Sequence, residues 1–152
     1  ISPVLDPERT LAVLESGPWI YREYFVRKWV RSLRKKQRAW PGEYQFDEIL
    51  RDRSLTSMAG VLVRRYTGYR DLSSYLRGYA VTGDTLATLA TPTRIIASAD
   101  DPIIPVRDLR QLAPAATLRT SVAAHGGHCG FVTGLGGRSW IAAEVLRELD
   151  SG

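Results

Sequence analysis

The chain has 152 residues, 44% of them apolar and 24% charged, enough for one compact domain and too few for two of ordinary size. Net charge is +5, from 21 basic and 16 acidic residues, and no apolar run approaches the roughly 18 residues of a membrane span. Cys129 is the single cysteine and there are two histidines, which excludes an internal disulfide, a Cys-built metal site and a three-histidine zinc site.

Residues 1–6 are short and apolar and end on Asp6, like the tail of a strand entering a loop. Asp6 followed by Pro7 and Glu8 is a helix start, so a helix is expected over 7–15, ended by Gly17 and Pro18. A second helix is expected over 20–38. Its Tyr21, Tyr24, Phe25, Trp29 and Leu33 recur at spacings of three and four, one aromatic stripe with a basic back. The stripe is expected to pack on protein or line a lipophilic pocket, with the basic residues in water.

Trp40-Pro41-Gly42 breaks the chain. A further helical stretch runs to Gly68, interrupted near 54–57, and residues 69–80 read as a short helix or turn. Residues 85–89 suggest another short helix. Residues 93–99 form a buried-strand candidate closed by Asp100 and Asp101. A loop and a helix opened by Pro105 follow, then a second strand over 117–124 and a loop holding His125, Gly126, Gly127 and His128. Leu135-Gly136-Gly137 marks a turn. The last segment is an amphipathic helix with Trp140, Val145, Leu146 and Leu149 expected toward the core.

Charge is uneven along the chain. Residues 1–80 carry 15 basic and 9 acidic residues, and residues 81–152 carry 6 and 7. The excess peaks from Arg22 to Arg38, a cluster suited to phosphate or an anionic membrane surface, or simply to solvation. No zinc finger, phosphate loop or RNA-binding aromatic pattern accompanies it, so no nucleic-acid partner is expected.

The chemistry-bearing residues follow the two strands. Asp100 and Asp101 come after the first, and His125 and His128 after the second. If the strands are parallel, both groups lie at one carboxyl edge, where open α/β sheets place their sites. A carboxylate orienting an imidazole is two-thirds of a catalytic triad. Spacing alone leaves either aspartate and either histidine open, and Asp100 is also suited to bonding loop N–H groups. Cys129 beside His128 raises a Cys–His pair, disfavoured because neighbouring side chains on an extended chain point apart.

Taken together, these segments resemble the carboxyl-terminal half of an α/β-hydrolase, and more narrowly the YheT-like hydrolase family. The resemblance runs through "ISPVLDP", "YREYFVRKWVRSLRKK", "YTGYRDLSSYLRGYA", "TPTRIIASADDPIIP" and "AAHGGHCGFV". It implies an α/β class chain, a partial α/β-hydrolase fold with a helical cap. Residues 1–84 would be the end of a core strand, the cap and a return segment. Residues 85–152 would carry the C-terminal part of the parallel sheet, the strands joined by a right-handed crossover. The family acid corresponds to Asp101 and its general base to His128.

No serine here stands in a nucleophile elbow, and the family's oxyanion donors lie upstream. The chain begins on Ile1 and is expected to be a piece of a longer polypeptide, a fragment of a serine ester hydrolase inactive by itself. The expected partners are a missing N-terminal half or a second copy of the chain, and a lipophilic ester. No metal or organic cofactor is implied. The expected location is the cytoplasm, with peripheral membrane contact open through the basic helix. The competing readings are a non-catalytic binding or membrane-associating fragment built on that helix, and a stand-alone enzyme using Cys129 or a histidine.

Overall fold

Local signals in the first half of the chain become helices with identifiable ends. The computed structural model describes residues 1–134 and 136–150. Helix α1 spans Pro7–Ser16, and its Asp6 cap accepts the Arg9 N–H at 3.0 Å. Gly17 ends α1 where an added Cβ would stand 2.6 Å from the Val13 carbonyl oxygen. Helix α2 spans Trp19–Ala39 and has Lys36 and Arg38 in its last turn, the favourable sign for a helix C-terminus. A 3₁₀ turn at Ile49–Arg51 precedes α3, Leu55–Tyr66, whose Ser54 cap accepts from the Ser57 N–H. Asp71 caps α4, Leu72–Gly78, through the Ser74 N–H at 2.7 Å.

These helices belong to one of two compact units, residues 6–80. Its core is Val26, Phe46, Ile49, Leu55, Met58 and Val61, with Leu11, Phe25, Trp29, Val30 and Leu33 packed around it. Gln37 ties the 40–46 loop to α2 by accepting the Phe46 N–H at 2.7 Å. The aromatic stripe of α2 divides. Phe25, Trp29 and Leu33 face the core, Val26 is the fully buried residue, and Tyr24 lies outside, 54% exposed. Trp29 and Leu33 stand three and seven residues past Val26, so the packing stripe is centred on Val26 and passes Tyr24 by.

The other unit is residues 1–5 with 81–152. Strands β1, Thr93–Ser98, and β2, Leu118–Ala123, pair in parallel, Thr93 opposite Leu118 and Ser98 opposite Ala123. The N-terminal segment lies along β1, where the Ser2 N–H donates to the Ile96 carbonyl. Ile95, Ile96, Ala97, Ile103, Ile104, Leu5 and Phe131 form the buried apolar set. Strands β3, Val132–Thr133, and β4, Arg138–Ser139, make a separate antiparallel pair, and α5 follows at Trp140–Asp150.

This architecture corrects the expected fold class. The described residues are 47% helix and 12% strand, and the strands form two disconnected two-stranded sheets instead of a continuous α/β-hydrolase sheet. Among the described residues the parallel pair acquires no third strand, because the remaining strands are two residues long and pair with each other. The connection between β1 and β2 holds a 3₁₀ turn, Val106–Gln111, where a crossover α-helix is expected. Pro105 and Pro114 bracket that segment and leave it too short for a stable α-helix. Residues 84–88 are turns, where a short helix is expected over 85–89.

Of the four α5 residues expected toward the core, Trp140 is half-buried and stacks on Phe131, and the other three are corrected. Val145, Leu146 and Leu149 are exposed, and Glu144 is the buried residue. Arg94 of β1 explains the reversal: its guanidinium meets Glu144 at 3.2 Å and Glu148 at 3.0 Å, and its Nε donates to the Ser121 hydroxyl. The polar side of α5 is therefore the side that docks. The turn expected at Leu135-Gly136-Gly137 begins at Leu135, which lies outside the described residues; Gly137 has φ +65°.

Candidate functional site

Parallel pairing of β1 and β2 brings both following loops to one strand edge, and the ladder continues one step further through the Ala99 N–H to the Ala123 carbonyl. The loop after β1 folds around the Asp101 carboxylate. Oδ1 accepts the backbone N–H groups of Ile103 and Ile104 at 2.8 and 2.9 Å, and the side chain is 2% exposed. Oδ2 meets His128 Nδ1 at 3.0 Å.

That geometry fixes the imidazole. A carboxylate accepts, so in the neutral ring this contact is made by an Nδ1–H tautomer, which leaves the lone pair on Nε2. His128 is about one-third exposed, so its ring is reachable while its partner is buried. Among the described residues none bonds to Nε2, neither a hydroxyl nor Cys129, whose side chain is free and exposed.

Asp100 does different work one residue away. Its Oδ1 accepts the N–H groups of Gly126 and Gly127 at 2.9 and 2.8 Å and the hydroxyl of Ser98. These bonds, the Ser98 hydroxyl first, then Gly127 and Gly126, with His125 adding to them, hold its carboxyl well below the usual carboxylate range. Asp100 thus clamps the histidine loop by its backbone, and Asp101 addresses the ring. His125 is 91% exposed with Nδ1 3.4 Å from Asp100 Oδ2, so it stands at the rim.

The loop's glycines follow from close packing. A Cβ on Gly126 would stand 2.5 Å from the ring of Phe131, which is buried, and the Phe131 N–H donates to the Gly126 carbonyl at 2.8 Å. Gly127 takes φ +55°, a left-handed conformation natural to glycine. Cys129 and Phe131 adopt φ +64° and +45° without that freedom. Phe131 is held there by its burial and by a stacked contact with Trp140, ring centroids 5.7 Å apart. The sequence "GGHCGF" is therefore a tight turn closed on a buried aromatic ring, with His128 on its outer side.

The structure brings together Asp101 and His128, and separately Asp100 with the Gly126–Gly127 backbone. Ser98, fully buried at the end of β1, is a member of the site that the motifs do not point to. A serine two residues before an aspartate at a strand end is the local signal that could have found it. Among the described residues no group of three or more His, Cys, Asp or Glu side chains is placed to hold a metal ion. No family model, curated protein or solved structure matches this chain.

Proposed function

We propose that Asp101 and His128 are the acid and the general base of a serine ester hydrolase, with the nucleophilic serine and the oxyanion donors supplied by polypeptide outside these 152 residues. The observation that carries the reading is the 3.0 Å contact from Asp101 Oδ2 to His128 Nδ1, with the second carboxylate oxygen committed to two backbone N–H groups. A carboxylate held by backbone cannot swing away, so it fixes both the tautomer and the orientation of the ring.

The chemistry follows from that tautomer. Nε2 takes the serine hydroxyl proton as the serine oxygen attacks the ester carbonyl carbon. Asp101 stabilises the imidazolium that results. Nε2 then returns the proton to the departing alcohol, leaving the acyl group on serine. In the second half His128 takes a proton from water, whose oxygen attacks the acyl carbon, and returns it to the serine oxygen as the acid is released.

The test is steady-state hydrolysis of a nitrophenyl ester by the natural protein that contains this sequence. Asp101→Asn should lower kcat by about 100- to 10,000-fold with little change in KM. Its amide keeps an oxygen for Ile103 and Ile104 but turns an NH₂ toward Nδ1, forcing the proton onto Nε2. Wild-type rates in both Asp101→Asn and His128→Ala would refute the reading.

A further inference from the structure

Helix α2 carries a surface that its packing does not use. Trp19 and Ile20 are 69% and 59% exposed, and with the outward-facing Tyr24 they line one shallow groove together with Glu23, Arg27, Lys28 and Arg31. Ile20, Tyr24 and Lys28 stand four residues apart, as do Glu23, Arg27 and Arg31 within the neighbouring row, so the groove runs along one side of the helix. Lys28 Nζ lies 5.3 Å from the Tyr24 ring centroid. Glu23, the single acidic residue of α2, already accepts from Arg27 at 2.8 Å and faces Arg53 at 3.7 Å. Arg22, Arg34, Lys35, Lys36 and Arg38 extend the positive field, all exposed.

We propose that this face docks on the surface of an anionic phospholipid bilayer. The inference rests on α2 alone and is independent of the Asp101–His128 reading. Tryptophan and tyrosine favour the headgroup level, where an apolar ring meets a polar surface, and lysine and arginine beside them meet lipid phosphates. Ile20 supplies aliphatic insertion that a nucleic-acid backbone would not reward. A second copy of the chain would set two strongly basic helices against each other, at a cost in repulsion. The contact is peripheral, since among the described residues no helix is long and apolar enough to cross a membrane.

The experiment is co-sedimentation of the chain with vesicles of phosphatidylcholine alone and of phosphatidylcholine mixed with phosphatidylserine. The chain should bind the mixed vesicles, bind the neutral ones weakly, and release as salt rises. Lys28→Glu with Arg31→Glu should lower partitioning about tenfold or more. Trp19→Ser with Tyr24→Ser should lower it comparably, by loss of aromatic insertion. Arg110→Glu with Arg119→Glu, an equal charge change at exposed sites in the other unit, should lower it less than about threefold. Circular dichroism should show each variant folded. Absent binding, equal binding to neutral vesicles, or equal loss in the Arg110/Arg119 variant would overturn the proposal. So would variants at 19, 24, 28 and 31 that leave vesicle binding intact while abolishing self-association or binding to duplex DNA.

Discussion

Two adjacent aspartates show how one residue's difference decides a role. Asp101 is buried and bonded at both oxygens, and Asp100 is half exposed with its bonds directed at a glycine pair. Spacing could place an aspartate near a histidine, but it could not say which aspartate, because that depends on the turn taken at residues 99–101. Nitrogen NMR of histidine-labelled chain should show His128 protonated at Nδ1 in the wild type, with Asp101→Asn shifting the proton to Nε2. An Nε2–H tautomer in the wild type would contradict the geometry. The depressed Asp100 carboxyl has a pH consequence. Its folded value lies below its unfolded one, so its stabilisation is complete above the ordinary aspartate range and is lost as pH falls below about 4 toward the folded value. Carboxyl NMR should find Asp100 still ionised when ordinary aspartates are half protonated, and a normal titration there would remove the clamp from the account. Gly126→Ala should cost roughly 1–3 kcal/mol in denaturant unfolding, because the new methyl meets the buried Phe131 ring. Gly42→Ala, with open space around it, should cost little.

At the scale of elements, what was legible was local. The Asp6-Pro7 start, the Gly17 stop and the three-and-four spacing of α2 act within a turn or two, and the helices lie close to the expected bounds. Strands β1 and β2 were legible as β-branched runs that end on polar loops; their parallel pairing was expected from the order of elements and the resemblance, not from the composition of the runs. The sides of α2 and α5 were less so. Val26 looks unremarkable beside five aromatic or leucine neighbours, yet the packing stripe is centred on it. In α5 a hydrophobic face was readable and the docking face was not. Glu144 is buried against the half-buried Arg94, fifty residues earlier, and that ion pair forms only once the fold brings the two together. Met58→Ala, removing a fully buried side chain from the helical core, should destabilise by about 2–5 kcal/mol, and Ser54→Ala by about 1 kcal/mol through loss of the α3 cap. Tyr24→Ala should fall within about 0.5 kcal/mol of wild type in the same unfolding experiment.

Across the whole molecule, the chain closes two units, one helical and one built on the β1–β2 pair. The second unit leaves apolar side chains in solvent: Val122 on β2, Val132 on β3, and Leu146 and Leu149 on α5. A two-stranded sheet has too little surface to cover them, and sequence pattern cannot reveal that, because the number of strands joining a sheet is a property of distant segments. Purified chain should therefore self-associate in light scattering, and Leu146→Glu with Leu149→Glu should reduce the association. A monodisperse wild-type monomer would show that these residues are tolerated in water. The central claim, that His128 serves as base to a serine from outside these residues, is tested most directly by fluorophosphonate labelling of natural material containing the sequence. A labelled serine is expected on polypeptide that purifies with residues 1–152, with labelling slowed at least about 100-fold by His128→Ala. Labelling at the wild-type rate in that variant, or no labelled serine at all, would contradict it.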